Sequence, residues 1–279
     1  MRPIPAARMH KYAPVGFTPT QAMQIIELYK SGRSMAKIGG FFGVADSTIQ
    51  RVLKRNSVVC RAENELRPRR YYVDESYFDA IDGEEKAYFL RLLFADGCNH
   101  DGRHSITLKL RQSDAAIVYA FRRSIRYFGP IKIITPHSNY ANAQRQACCV
   151  ITSRRLSQQL TKCGCHTRKS LTLKFPTCVP EKHLGSFVRG FFDGDGTICI
   201  PTKGPPFVTL TCSHPFADGL NAALLRNGIW STVQHLRPKV AYLNIYTRHA
   251  FRSFYRFMYD SPGPKLPRKA EKFDRAMKM

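Results

Sequence analysis

Acidic residues are scarce in this chain: 20 Asp and Glu stand against 44 Lys and Arg in 279 residues, a formal charge of +24. So basic a balance points to a polyanionic partner, with nucleic acid the default. Long apolar runs are also missing. None approaches the ~18 residues that a membrane span needs, so membrane binding is not expected. Residues 1–17 carry Pro3, Pro5, Pro14 and Gly16 and lack the apolar core of a secretory signal. They read as a flexible arm; being basic and acid-free they faintly suggest a transit peptide, against which the scarcity of serine argues. No C-x-x-C pair occurs among the nine cysteines, and an odd number cannot all be bridged internally. Cys163-Gly164-Cys165-His166 has no second pair at finger spacing, so reduced thiols in an intracellular protein are expected rather than zinc. The compartment, whether cytoplasm, phage-infected cell or organelle, is left open.

What the chain does have is one pattern written twice. Asp82–Gly97 reads DGEEKAYFLRLLFADG and Glu181–Gly196 reads EKHLGSFVRGFFDGDG, each a helix-like apolar run ending on Asp-Gly. The final aspartates, Asp96 and Asp195, are 195 − 96 = 99 residues apart, so each run would head a half of domain size. A carboxylate at a helix C-terminus faces the negative end of the helix dipole and costs about 0.3–1 kcal/mol. A rule broken twice in the same way indicates a functional site in which something offsets the charge. A hard divalent cation such as Mg²⁺ or Ca²⁺ suits carboxylate oxygens and free helix-end carbonyls. Gly97 and Gly196 are expected to supply the left-handed residue that stops each helix. Gly185, Gly190 and Gly194 offer small positions for close helix–helix contact. Two buried helices with ordinary Asp-Gly turns are the plainer alternative.

These residues resemble the signature of the LAGLIDADG homing endonucleases in their single-chain, two-motif form. Val188-Arg189-Gly190-Phe191-Phe192-Asp193-Gly194-Asp195-Gly196 is similar to the full signature. Phe89-Leu90-Arg91-Leu92-Leu93-Phe94-Ala95-Asp96-Gly97 is looser, with Arg91 in place of the interface glycine and Phe94 in place of the first aspartate. The resemblance covers residues 75–279 and implies a monomeric, Mg²⁺-dependent nuclease (Mn²⁺ as a substitute) that makes double-strand breaks in intron mobility. Asp96 and Asp195 would be its catalytic metal ligands, helped by the carbonyls of Ala95 and Gly194. Gln112, at the place matched by His214 in the second half, would order the water network, whereas His214 would simply start a helix. For the basic residue that stabilises the transition state, Lys109, Arg154 and Arg248 are the candidates. A catalytically silent DNA-binding regulator and an intron RNA maturase are the alternatives on the same fold; a gel shift of intron RNA against duplex DNA separates the latter.

The rest of the chain is legible in pieces. Residues 18–56 predict a three-helix unit resembling a helix-turn-helix DNA-binding domain: Thr18 capping the first helix, Ser34 the second, and Asp46 or Ser47 the third. Ile38, Phe41 and Phe42 are expected inside it. Ser47, Thr48, Gln50, Arg51 and Lys54 form the exposed row of its third helix, suited to DNA. A generic interaction module is the other reading. Residues 57–80, with Arg67-Pro68-Arg69-Arg70, read as a basic linker, followed by repeats at 81–180 and 181–279. In each repeat a motif helix leads into alternating strands. Ile106, Leu108 and Leu110 face a core with Ser105, Thr107, Lys109 and Arg111 outward; Val208, Leu210 and Cys212 face in with Thr209, Thr211 and Ser213 outward. Helices follow at about 113–128 and 214–227, then strands at about 131–135 with 146–152 and 230–236 with 240–246. The fold class is therefore α+β, two pseudo-symmetric αββαββα halves. The family implies that their sheets form a saddle over DNA, with Lys109, Arg111, Thr209 and Thr211 as readers. Each half closes on a basic segment in which Lys169 and Lys269 are placed to reach phosphate. Phosphate contacts would make binding fall steeply with salt.

Overall fold

The computed structural model describes residues 16–60, 70–135, 144–167 and 173–279. Most of the arm, Arg67-Pro68-Arg69 and Lys169 lie outside the described residues. The chain divides into two compact units, Met1–Arg70 and Tyr71–Met279.

The first unit holds three helices, α1 (Pro19–Lys30), α2 (Met35–Phe42) and α3 (Asp46–Arg55). Thr18 and Gln21 make a reciprocal capping box on α1, with Pro19 at the first helical position. Ser34 caps α2, and Gly43 ends it in the left-handed conformation at φ 68°. Ile25, Tyr29, Ile38, Val44, Ile49, Val52 and Leu53 close the core. Two expectations fail here. The cap of α3 is the backbone at Ala45; Asp46 is already helical and its carboxylate accepts from the Ser47 N–H. Phe41 is 66% exposed. The short α2 has room for one buried stripe, and Ile38 and Gly39 occupy it while Phe41 points away.

The second unit begins at Tyr71, inside the stretch 57–80 expected to be linker. Val73, Tyr77, Phe78 and Ile81 are buried in its core, so the segment from Tyr71 is part of the fold. Its order is α4 (Glu84–Ala95), β1 (Gly97–His100), β2 (Ser105–Arg111), α5 (Ala115–Ser124), β3 (Lys132–Ile134), β4 (Gln146–Thr152), α6 (Arg154–Lys162), then the same again. The second set is α7 (Leu184–Asp195), β5 (Gly196–Cys199), β6 (Phe207–Cys212), α8 (His214–Arg226), β7 (Thr232–Arg237), β8 (Val240–Ile245) and α9 (Arg248–Tyr259), followed by α10 (Pro267–Met277). Each half is a four-stranded antiparallel sheet, in the orders β1-β2-β4-β3 and β5-β6-β8-β7. Leu108 and Leu210 pair with Cys149 and Leu243 on the inner faces; Lys109 and Thr211 pair with Cys148 and Tyr242 on the outer. No helix among the described residues is long and apolar enough to cross a membrane.

α4 and α7 pack against each other at the centre of this unit, each buried along most of its length. The glycines explain how close they come. A methyl at Gly190 would overlap the Tyr88 carbonyl, and one at Gly194 would overlap the Ala95 side chain. Gly185 does the same service against the Phe257 carbonyl of α9. Gly97 and Gly196 are needed for a different reason from the left-handed stop expected. Gly196 is extended (φ −88°, ψ 149°), and Gly97 is not among the residues of positive φ. Each helix runs straight into a strand, and a Cβ at the junction would lie 2.6 Å from the carbonyl oxygen of Leu93 or Phe192.

Candidate functional site

Because both strands start at once, the last helical residues of α4 and α7 finish side by side at one end of the helix pair. Asp96 Oδ2 would be 3.3 Å from a Cβ at Gly194, the neighbour of Asp195. Both aspartates are exposed there. Asp96 keeps an open edge, yet the protein packed around it, and then Asp195, push its carboxyl up to about 6. Among the described residues no hydrogen bond reaches the Asp96 carboxylate, whereas Asp195 Oδ2 accepts from Arg91 Nη2 at 3.3 Å.

Arg91 is the largest departure from what the sequence leads one to expect. Its place in the first motif is that of Gly190 in the second, and a long cation there would be expected to loosen the helix packing. Instead the side chain is 1% exposed. Its guanidinium carbon lies 3.7 Å from the Phe191 ring centroid and 4.7 Å from that of Phe216. The two aromatic faces and Asp195 offset the desolvation of the charge; burial still draws the guanidinium down to about 10. Arg189 on the other helix is buried as well, but it donates to the carbonyls of Met258 and Ser261, each at 2.7 Å, and to Ser186 Oγ. That makes it an anchor for the end of α9.

Asp193 is not at the surface. It accepts from Tyr88 Oη at 2.7 Å and from the Leu266 N–H at 2.8 Å, and burial raises its carboxyl to about 6. The Leu266 bond fixes the start of α10, and Arg268 adds a forked ion pair to the buried Asp114 at 3.0–3.1 Å. Lys269 is thereby aimed at the end of α7: Nζ donates to the carbonyls of Phe192 and Gly196 at 2.7 Å and approaches that of Gly194 at 3.5 Å. It caps the helix that carries Asp195, where a cation is favoured by the dipole. Its ammonium sits among Asp193, Asp96 and Asp195, and burial lowers it to about 8.

The structure thus brings Asp96, Asp195, Ala95, Gly194 and Lys269 together, and adds Arg91. Lys269, Arg91 and Arg268 are the basic groups whose charge bears most on Asp96. Gln112 opens the turn after β2 and is exposed; its backbone N–H donates to the Arg145 carbonyl at 2.8 Å. His214 starts α8, with Nε2 3.2 Å from the Val240 carbonyl and its ring edge-on to His235. A lysine turned back to cap a helix 73 residues upstream has no signature in the sequence. Arg91 had one, as a charge inside an apolar motif.

The donor set fits a divalent cation unevenly. Asp96 offers an unpaired, crowded carboxylate that a nearby cation would relieve; at Asp195 a guanidinium already shares the oxygen. The Gly194 carbonyl is shared with Lys269. No cluster of three or more His, Cys, Asp or Glu that could hold a metal occurs among the described residues.

Residues 183–258 match the family described as LAGLIDADG-like domain. No curated protein matches the chain. Solved structures similar to it include the N-terminal LAGLIDADG domain of DUF199/WhiA, at 14% identity over 73% of this chain and 93% of that one, with a TM-score of 0.45. The LAGLIDADG meganuclease I-AabMI bound to uncleaved DNA is 12% identical over 69% and 88%, TM-score 0.47. Mesophilic variants of the homing endonuclease I-DmoI are 13% identical over 72% and 99%, TM-score 0.46.

Proposed function

We propose that the protein is a site-specific DNA endonuclease that hydrolyses one phosphodiester on each strand of a duplex with the help of a divalent cation. The observation that carries this reading is the convergence of Asp96 and Asp195 at one open end of the helix pair, with Lys269 beside them. The outer faces of the two sheets, with Lys109, Arg111, Thr209 and Thr211, hold the DNA through its major grooves. Asp96 and Asp195, with the carbonyls of Ala95 and Gly194, would hold the cation beside the scissile phosphates. Mg²⁺ at such carboxylates supplies Lewis acidity and lowers the pKa of bound water. Lys269 carries the positive charge that faces the pentacovalent phosphate, and Asp193 fixes its helix. Gln112 orders the attacking water. The exposed row of α3, Ser47, Thr48, Gln50, Arg51 and Lys54, adds contacts to flanking DNA. Lys169 serves as a phosphate contact. One chain carries both motifs, so the working form is a monomer.

A second reading, a DNA-binding regulator that does not cut, is favoured by the Arg91–Asp195 pair, which leaves one carboxylate already neutralised. Incubating a randomised duplex library with Mg²⁺ decides between them. Sequence-specific double-strand cuts that vanish in Asp96→Asn and Asp195→Asn establish the nuclease. Retained binding with no cutting at any Mg²⁺ or Mn²⁺ concentration establishes the regulator.

A further inference from the structure

The two carboxylates are related by the repeat, but their surroundings are not. Asp195 has a guanidinium of its own: Arg91 Nη2 is 3.3 Å away, and the Arg91 side chain is locked between the rings of Phe191 and Phe216. Arg91 Nε and Nη1 are buried without a partner among the described residues, so of these Asp195 is the one anion to which this charge is hydrogen-bonded. Swinging away would leave the cation desolvated and unpaired, which a buried charge resists strongly. The matching position in the other helix is 91 + 99 = 190, a glycine pressed on the Tyr88 carbonyl. It has no charge to offer Asp96; Lys269 is the cation that faces that carboxylate, but its hydrogen bonds go to the carbonyls of Phe192, Gly194 and Gly196, and no hydrogen bond from another described residue reaches Asp96.

We infer that Arg91 is a resident counter-ion for Asp195 that makes the two aspartates unequal ligands for a divalent cation. Asp96 takes the cation first, and Asp195 binds one only against the fixed guanidinium beside it. Like charges a few ångströms apart repel, and the guanidinium is that close to Asp195, so the second cation binds more weakly. If the protein cuts DNA as proposed above, the strand served by Asp195 is cut second, and a nicked duplex precedes the double-strand break. The strand order rests on the nuclease reading; the unequal cation affinity does not.

The full chain, without DNA, is titrated with Mn²⁺ and bound metal is read by electron paramagnetic resonance. Wild type is expected to bind one Mn²⁺ about tenfold more tightly than a second. Asp96→Asn should remove the tight site and Asp195→Asn the weak one. Arg91→Met, which fills the slot between the rings without charge, should bring the two affinities together, while Arg91→Lys keeps them apart. Thermal melts verify that the Met variant folds; if it does not, the Asp96→Asn and Asp195→Asn pair still decides. Equal losses in those two variants, or no Mn²⁺ bound by wild type, overturn the inference whether or not DNA is cut. Unequal sites with no cleavage of any duplex sink the nuclease reading and leave the counter-ion standing. With a cleavable plasmid, accumulation of nicked circles that Arg91→Met abolishes supports the strand order, and simultaneous cutting by wild type overturns it.

Discussion

Lys109 in the first sheet and Thr211 in the second occupy the same place in the repeat, and the rows they belong to have little else in common. In the first half the outer row reads Lys109–Cys148–Lys132 across β2, β4 and β3. In the second, the row across β6, β8 and β7 reads Thr211–Tyr242–Gln234. One row carries two ammonium groups and the other none. The next row differs as well: Thr107 pairs with Val150 in the first half, where the second pairs Thr209 with Asn244. Thr209 donates to Asn244 at 2.7 Å, and the Asn244 amide to Gln234 at 3.3 Å, so the second face is a hydrogen-bonded polar net. The lesson is that a duplicated fold keeps its inward side chains apolar, since they must pack, and frees the outward ones. A basic face suits phosphates and guanine edges, while amides and hydroxyls suit adenine and thymine. The helices at the centre show the same divergence: a paired Asp195 against an unpaired Asp96.

The largest effect should come from the carboxylates. Asp96→Asn is expected to lower strand cleavage on the order of 10³-fold, several kcal/mol of lost transition-state stabilisation. Measured on nicked and linear products separately, it should abolish the first cut, whereas Asp195→Asn should leave that cut and abolish the second. Identical product patterns would erase the distinction between the halves.

Lys269→Met should cost cleavage about 10²-fold, the scale of losing one preorganised charge from a reacting phosphate. Lys269→Arg tests the pH dependence. Burial lowers the lysine to about 8, so its charge is lost as pH rises through that value. Wild-type cleavage should then fall above about pH 8 while the Arg variant's does not. A decline shared by both would put the titration elsewhere.

The sheets are separated by salt. Replacing Lys109 and Lys132 by Gln should reduce the slope of log binding against log salt by about 2. Replacing Thr211 and Gln234 by Ala should leave that slope alone and instead relax base preference by about 1–3 kcal/mol at the positions they face. If the slope changes equally in both pairs, the faces do not divide the work.

The smallest effect is on stability. The folded Asp96 carboxyl is raised to about 6 from an ordinary 3.8, so its ionised form opposes folding at pH above about 6. That cost fades as pH falls through about 6 toward about 4, where the group becomes protonated in both states. Asp96→Asn should therefore raise unfolding free energy near pH ~7.5 by about 1 kcal/mol, allowing for solvent screening of an exposed group. The gain should shrink toward pH ~4 in urea denaturation. A destabilised variant would mean that Asp96 carries a structural contact.

Much of this molecule is legible from local pattern. The alternation from Ser105 to Arg111 places its apolar residues inside, and the helix capped by Thr18 starts there, because neighbours in sequence settle both. The repeat spacing by itself marks Asp96 and Asp195 as partners. Local rules misjudged positions whose neighbours are remote. Gly97 and Gly196 look like left-handed stops, yet they are glycine because a strand leaves the helix at once and no Cβ fits against Leu93 or Phe192. Lys269 reads as a phosphate contact in a basic closing segment, and only the fold shows that Asp193 and Arg268 turn it onto the end of α7. Phe41 has the hydrophobicity of a core residue but no core to enter.

The sequence alone determined the repeat, the two carboxylates, the strand faces and the basic charge, since each depends on residue type and short-range periodicity. Tertiary structure decided which cation meets which carboxylate. Arg91 could have faced water or split the helix pair; the rings of Phe191 and Phe216, 100 and 125 residues further on, form the slot that holds it on Asp195. A charge takes its partner from what surrounds it in space, and here those surroundings come from the opposite half of the chain.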